Sequence, residues 1–196
     1  MDSGRFETFM DAILAIMMTV MVLKIPQPEP LSIAGILSLK HLYFAYVVSF
    51  ITLFSVWDHH RRLFDMVDEI NNQVVLVTSV LIYVLTFLPY FTAWVAHYPN
   101  DLVPELCFGL LFIIVNVLYV YSTRIVIKND VHNTDIQDVN FKELSWINFI
   151  LLIGGLVISV MGFPRVMMIT CFITIITWNI IPYFKKTYYV GDNNGN

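Results

Sequence analysis

Two groups of ionisable residues stand inside or at the edge of long apolar stretches of this 196-residue chain. Asp11 follows Arg5 by six residues, and a run of five ionisable residues occupies positions 58–62. A charged side chain within an apolar membrane segment is costly unless it is paired. The two groups could therefore meet in a buried network of ion pairs and hydrogen bonds. In the other interpretation, Arg5, Arg61 and Arg62 only orient the chain at the membrane surface. The spacing of these residues does not decide between the two interpretations.

The adjacent histidines His59 and His60 lack the spacing of a metal site. Neighbouring side chains on a helix point about 100° apart, whereas two imidazoles that chelate one ion stand four residues apart. The pattern favours a hydrogen-bonded or pH-sensitive structural role. The sequence also has no glycine-rich phosphate loop, no Gly-x-Ser-x-Gly elbow and no Cys-x-x-Cys pair. We therefore expect neither an enzyme nor a bound metal or cofactor, and we interpret Cys107 and Cys171 as small buried hydrophobic residues.

The composition is that of a membrane protein. Apolar residues make up 58% of the chain, charged residues 13%, and the mean hydropathy is +0.71, whereas a soluble domain has roughly 25% charged residues. The apolar residues form blocks of roughly spanning length at about 6–25, 36–57, 73–96, 103–127, 144–162 and 166–184. We predict an all-α polytopic membrane protein with six transmembrane helices per subunit. Residues 1–190 would form one domain and residues 191–196 a disordered tail.

The distribution of basic residues predicts the orientation of the chain. Six crossings that start in the cytoplasm would place eight of the eleven Lys and Arg residues inside: Arg5, Arg61, Arg62, Arg124, Lys128, Lys142, Lys185 and Lys186. Lys24, Lys40 and Arg165 would lie outside. Because cytoplasmic loops carry an excess of Lys and Arg, we expect both termini in the cytoplasm. The net charge of −4 and the lack of a basic stripe argue against nucleic acid as a partner.

One face of the first predicted helix carries branched apolar residues. At 100° per residue, Ile16, Val20 and Leu23 fall within about 60° of one another, with Thr19 at the margin of the stripe. Asp11 points about 140° away from Ile16. Taken alone, such a stripe is ordinary lipid-facing or core-packing surface.

The segment from Arg5 to Asp11 resembles the Arg-x-x-x-Phe-Ser-Asp signature that opens the first helix of the transmembrane protein 175 family, with Met10 in place of Ser. Further along, the sequence is similar to that family's Ser-Phe, Trp-x-x-His and Leu-Phe pattern at Ser49–Phe50, Trp57, His59–His60 and Leu63–Phe64. Asn71–Asn72 and Leu88–Pro89–Tyr90–Phe91 extend the similarity. It covers roughly residues 5–92.

This resemblance implies a potassium-permeable cation channel that assembles as a homotetramer in the cell membrane of a prokaryote. The first helix of each subunit would line a central pore for monovalent cations within the lipid bilayer, with its constriction at Ile16. Thr19, Val20 and Leu23 would complete the pore face. The signature residues would hold that helix against its neighbours, and they are Arg5, Phe9, Asp11, Trp57, His59 and His60. Because the sequence lacks Thr-Val-Gly-Tyr-Gly, a filter of loop carbonyls is excluded.

Two alternatives are weighed against the channel. A proton-coupled or other secondary transporter would use Asp11 with the His59 and His60 region, but carriers usually contain repeated broken helices at the midplane. Gly154–Gly155 has no counterpart in the first half of the sequence. A non-transporting scaffold would show no ion flux. Fast, uncoupled potassium flux into proteoliposomes would distinguish the channel from both.

The charge distribution generates a test of topology. A cysteine introduced in the 129–140 loop should be protected from an impermeant thiol reagent in intact cells, because this loop is expected in the cytoplasm. A cysteine in the 97–102 loop should be labelled. The reverse pattern of labelling would invert the predicted orientation.

Overall fold

All regular secondary structure in the described part of the chain is helical. The computed structural model describes residues 3–64, 71–129 and 141–192. In chain order its helices are α1 (Ser3–Val22), α2 (Ile33–Ser38), α3 (Lys40–Phe64), α4 (Asn72–Leu85), α5 (Leu88–His97), α6 (Leu102–Asn129), α7 (Phe141–Val160) and α8 (Val166–Asp192). The short helix α2 was not expected.

Local sequence signals set several helix ends. The segment after α1 contains Pro26, Pro28 and Pro30, which a helix interior does not tolerate. Asn71 caps α4, where the Val74 amide donates to the Asn71 side-chain oxygen over 2.9 Å. Gly162 ends α7 with a φ of +108°, a left-handed conformation that glycine adopts readily.

The third apolar block is broken in the middle. It forms α4 and α5, which are separated by a turn at Thr86 and Phe87. Pro89 stands in the first turn of α5, where its missing N–H and its ring prevent an unbroken helix through the preceding turn. The Thr86 hydroxyl donates to the Tyr83 carbonyl over 2.6 Å, which satisfies an acceptor at the break. The uninterrupted third helix expected from the sequence is therefore two helices.

Three described segments are long and apolar enough to cross a bilayer, at Lys40–Phe64, Asn72–His97 and Leu102–Val126. Trp146–Val160 and Val166–Asn179 are shorter apolar helices. The 20 residues of α1 rise about 30 Å, close to the thickness of the hydrocarbon core, although the ionisable residues of its first half lower its hydropathy. The count of six crossings stays a prediction.

Two hydrogen bonds between side chains establish how α1, α3 and α5 are aligned. Trp57 on α3 donates to Asp11 on α1 over 2.8 Å. The Thr92 hydroxyl of α5 donates to its own helix at Leu88, so Ser49 on α3 is the donor in the 2.6 Å bond with Thr92. Asp11 is therefore level with Trp57, and Ser49 is level with Thr92.

Other pairs of polar side chains join the remaining helices. They are Thr78 with Ser122 at 3.0 Å, Thr177 with Asn148 at 2.8 Å, and Asn179 with Ser55 at 2.7 Å. In an apolar medium a buried polar group is stable only with a partner. These pairs therefore specify which helix faces lie together around a core whose most enclosed residues include Leu53, Leu85, Phe108, Leu152 and Met167.

The predicted tail and cytoplasmic loop are only partly within the described residues. Helix α8 continues to Asp192, so residues 191 and 192 are helical rather than disordered. Residues 193–196 of the expected tail, and residues 130–140 of the longest polar stretch, lie outside the described ranges.

The contact between α7 and α8 generates a stability prediction. A Cβ added at Gly155 would stand 2.6 Å from Thr170 Oγ1 and 2.8 Å from its Cβ, so the two helices would have to separate. Gly155→Ala should therefore lower the midpoint of thermal unfolding in detergent, because overpacking of about 1–3 kcal/mol exceeds the gain in helix propensity of about 1 kcal/mol. Gly154→Ala is the matched control, since nothing lies within 4 Å of that position. Equal shifts for the two variants would contradict this packing.

Candidate functional site

Helix α1 packs on the bundle through one apolar face. The buried residues recur every three or four positions, as expected for one side of a helix, and they are Phe6, Met10, Leu14, Met17 and Met21, each 6% exposed or less. Met10 replaces the serine of the family signature. It lies in an apolar cluster with Phe6, Leu63, Phe64 and residues of α4 and α6, where a flexible thioether fills space well.

The opposite face of α1 is exposed in the single chain. Phe9 is 57% exposed, Ile16 is 62% exposed and Leu23, just beyond the helix, is 79% exposed. Thr19 lies on the same face, whereas Val20 is half-buried at its edge. The exposed surface is therefore centred nearer to Thr19 than the stripe read from the sequence, because Val20 is turned toward α5.

The acid of α1 is held by an aromatic residue of α3. Asp11 is half-buried, and its Oδ1 accepts a hydrogen bond from Trp57 Nε1 over 2.8 Å. A hydrogen bond to a charged acceptor is stronger than one between neutral groups. The guanidinium of Arg61 stands 5.5 Å from the centre of the Trp57 ring, within the range of a cation–π interaction. Asp11, Trp57 and Arg61 thus form one connected group.

Arg5 and Phe9 do not join this group. Among the described residues Arg62 forms an ion pair with Asp58 at 2.7 Å, and Arg5 forms none with Asp11, which was one of the two interpretations that the sequence left open. Arg5 is exposed, and Phe9 lies on the exposed face of α1 rather than against the bundle. Because the Arg62 side chain is 66% exposed, its pair with Asp58 contributes little to stability.

The two histidines are packed inside the bundle and bonded to their own helix. Nδ1 of His59 lies 2.7 Å from the Ser55 carbonyl oxygen, and Nδ1 of His60 lies 3.1 Å from that of Val56. Both imidazoles meet the ring of Tyr119 edge-on. His60 is 3% exposed, and its Nε2 has no hydrogen-bond partner among the described residues. The histidines therefore belong to the wall of the bundle.

Two features of the bundle were not anticipated. Tyr119 and Trp178 pack 4.5 Å apart beside His59, and only the fold brings these distant positions together. Glu105 is fully buried, and its Oε2 accepts a hydrogen bond of 3.2 Å from the Met168 amide in the first turn of α8. The sequence could have indicated this contact, because Glu105 lies inside the apolar block 103–127 and an acid in such a block requires a partner.

Comparisons with known proteins agree with this architecture. The sequence profile of the family described as endosomal/lysosomal potassium channel TMEM175 matches residues 5–89. A potassium channel of Chryseobacterium sp. (strain P1-3) is 28% identical over 162 residues, which cover 81% of this chain and 83% of that protein. A potassium channel of Chamaesiphon minutus is 33% identical over 103 residues, and these cover 50% of this chain and 51% of that protein.

The fold matches a solved structure. The crystal structure of a lysosomal potassium-selective channel TMEM175 homologue from Chamaesiphon minutus superposes with a TM-score of 0.70. The match covers 90% of this chain and 98% of that chain, at 21% sequence identity, and shows a shared fold.

The relatives of this helical bundle are named as potassium channels. Residues 5–89 are similar to the TMEM175 family, and the chain shares the fold of a solved TMEM175 homologue.

The bond between Asp11 and Trp57 generates a test of the site. Trp57→Phe keeps an aromatic ring for Arg61 but removes the N–H donor to Asp11. It should lower the free energy of unfolding by about 1.5–3 kcal/mol, the range for a hydrogen bond to a charged group, as measured by thermal unfolding in detergent. Trp146→Phe is the control, because Trp146 is 61% exposed. If both variants unfold at the same temperature, the bond does not anchor α1.

Proposed function

We propose that the chain forms a homotetrameric, potassium-permeable cation channel whose pore is lined by the first helix of each of four copies. The relatives described above include potassium channels by name, which supports transport of a monovalent cation. Each copy would cross the membrane six times, with α4 and α5 together as the third crossing. Both termini would lie in the cytoplasm, in the plasma membrane of a prokaryote, as the distribution of Lys and Arg favours.

The observation that carries this proposal is the exposed face of α1. Other helices also expose apolar side chains, as expected next to lipid. The face of α1 differs because small residues, Ala12 and Ala15, are exposed beside Ile16 and Thr19. Small residues and hydroxyls are enriched where membrane helices approach one another closely. This mixture supports self-association through α1 around a common axis.

A ring of four Ile16 side chains would form the narrowest part of such a pore. Its lining of branched apolar atoms would oblige an ion to lose much of its water without replacement ligands, so the neck would be the main barrier to conduction. Potassium holds its hydration shell less strongly than sodium and would lose less on entering. Selectivity of this kind is modest.

Oxygen ligands would be available immediately beyond the neck. The Thr19 hydroxyl donates its proton to the Ile16 carbonyl over 2.8 Å, which leaves the hydroxyl oxygen as an acceptor for a cation. Leu23 lies on the same exposed face, about two turns beyond Ile16, and is the second candidate for a constriction. Val20 would contribute at the edge of the pore face, since it is half-buried.

The transporter alternative gains no support from the site. Asp11 is engaged by Trp57, and both histidines are bonded to carbonyl groups of their own helix. None of these three residues lies on the exposed face of α1. The third span is broken at Thr86 and Phe87, but a single break does not make the repeated pair that carriers show.

Substitution at the neck tests the proposal. Ile16→Asn would replace the apolar ring with a ring of amides, and it should raise potassium conductance while reducing the preference for potassium over sodium. The measurement is single-channel current in planar bilayers with potassium and sodium on opposite sides. Ile16→Cys should react with small thiol reagents in a state-dependent way.

Met18→Asn is the matched control. Met18 lies about 160° from Ile16 around the helix and packs against the core, so this change should leave single-channel conductance nearly unaltered. If Met18→Asn raised conductance and Ile16→Asn did not, α1 would be rotated relative to this assignment and the proposed neck would be wrong.

A further inference from the structure

A buried acid joins two helices at the end of the bundle where both of them begin. Glu105 lies in the first turn of α6 and is fully buried. Its Oε2 accepts a hydrogen bond of 3.2 Å from the Met168 amide in the first turn of α8. Its Oε1 is also buried and has no hydrogen-bond partner in the part of the chain that the structure describes. Half of the carboxyl group is therefore without a partner there.

The start of α8 uses this carboxyl group as a cap. The turn before α8, residues 162–165, contains no Ser, Thr, Asp or Asn, the side chains that usually cap a helix. The amide of Met167 already has a backbone acceptor, since it donates to the Pro164 carbonyl over 3.0 Å. The next amide, that of Met168, has the Glu105 carboxyl group instead. Glu105 thus replaces a capping residue although it belongs to another helix.

Apolar side chains enclose the carboxyl group. Phe108 on α6 and Met167 and Cys171 on α8 are each 0% exposed. One turn along α6 from Glu105, a Cβ added at Gly109 would overlap the side chain of Met167. The two helices are therefore in close contact beside the acid, which lies in surroundings of low polarity.

Few ionisable groups are close to this acid. Arg165, just before α8, and Cys171, in its second turn, face Glu105. Arg165 is exposed and forms no ion pair with Glu105 among the described residues. At the same end of the bundle, His97 ends α5 and Asp101 precedes α6, both with exposed side chains, and the last ten residues of α7 include no ionisable side chain. Within the described ranges, the acid is thus not paired with a basic side chain.

The site supports both protonation states of Glu105. The ionised carboxylate receives the hydrogen bond of the Met168 amide and the partial positive charge at the start of α8. The neutral acid suits the apolar surroundings, in which an unpaired charge is costly. Water is close by, since the exposed residue Asp101 is four residues earlier, about 6 Å along a helix. Glu105 can therefore exchange a proton with the solvent at this end of the bundle.

We propose that Glu105 is a proton-binding site that controls how firmly α6 holds the start of α8. An ionised acceptor makes a stronger hydrogen bond than a neutral one, so loss of the proton tightens the contact and its uptake loosens the contact. The site is enclosed within a single copy of the chain. It therefore does not depend on which outer surfaces meet when copies associate.

The consequence for conduction rests on the proposed function. Helix α8 is joined to α3 where Asn179 donates to Ser55 over 2.7 Å. Two residues further along α3, Trp57 holds Asp11 of α1. A looser start of α8 would change the support of the helix that we propose to line the pore, so potassium flux should depend on pH.

Infrared spectroscopy of the full-length protein in lipid vesicles tests the proton site. A neutral carboxylic acid has a C=O stretching band that a carboxylate lacks. Wild type and Glu105→Gln would be compared from about pH 4 to pH 9, a range that includes the pKa values of most carboxyl groups in proteins. We expect a band, missing in Glu105→Gln, that is present at acid pH and disappears in one step as the pH rises. Asp101→Asn is the control, because it removes a nearby exposed acid and should leave this band unchanged.

Glu105→Gln should fold, since its amide oxygen can still accept the hydrogen bond of the Met168 amide. If it does not fold, Glu105→Asp identifies the band, which should then shift in frequency without disappearing. A Glu105 band that persists over the whole pH range would overturn the proposal. So would its absence at every pH, the result expected if Arg165 turns inward and keeps the acid ionised.

Hydrogen exchange measured by mass spectrometry tests the control of α8. At alkaline pH the amides in the first turn of α8 should exchange faster in Glu105→Gln than in wild type, because the variant lacks the charged acceptor. At acid pH the two proteins should exchange at the same rate. Equal rates at both pH values would refute the proposed effect on α8.

Potassium flux in the same vesicles separates this inference from the proposed function. Flux through the wild type should change with pH, whereas Glu105→Gln should keep the acid value of the wild type at every pH. Asp101→Asn and His97→Gln should respond as the wild type does. A Glu105 band that disappears with rising pH, without potassium flux at any pH, would refute the channel and retain the proton site. Flux without such a band would do the opposite.

Discussion

The hydrogen bond from Trp57 to Asp11, 2.8 Å long, determines how α1 is turned about its own axis. Asp11 lies about 140° from Ile16 around the helix, so a bond that draws Asp11 toward α3 turns Ile16 away from the bundle. In a medium of low dielectric constant, a carboxylate without this partner would be strongly destabilising. The polar contact therefore specifies an orientation that apolar packing alone would allow to slip. The buried methionines of α1 have flexible side chains that would still pack well if the helix rotated slightly. The hydrogen bond is therefore the stronger constraint on the rotation of α1.

The same principle extends through the bundle. Ser49 with Thr92, Thr78 with Ser122, and Asn148 with Thr177 each join two helices through side chains whose alternative partner would be hydrocarbon. Between helices in lipid the hydrophobic effect provides little preference for one face over another, so close packing and hydrogen bonds specify the neighbours. Gly155 stands directly against Thr170, and its lack of a side chain allows α7 and α8 to pack closely.

Helix α5 connects this framework to the proposed pore. It lies beside α1 and forms a groove with Ile16, Val20 and Lys24. One side of α1 thus faces the bundle, a second faces the groove and a third remains exposed. The half-burial of Val20 is a direct result of this arrangement.

The sequence by itself determined the class of protein and the ends of most helices, because apolar blocks, prolines and glycines act through local physics. It also singled out Ile16, Val20 and Leu23 as one face, with Thr19 at its margin, since their spacing follows from the helical repeat alone; the half-burial of Val20 was decided by the neighbouring helix. The partner of Asp11 was decided by tertiary structure: Arg5 was the nearest opposite charge in sequence, yet Trp57, 46 residues away, supplies the donor. Likewise, Phe9 belongs to the motif but lies outside the group around Asp11, and Glu105 found its partner on α8. Such pairings depend on which helices lie side by side, and spacing along one helix carries no information about a neighbour.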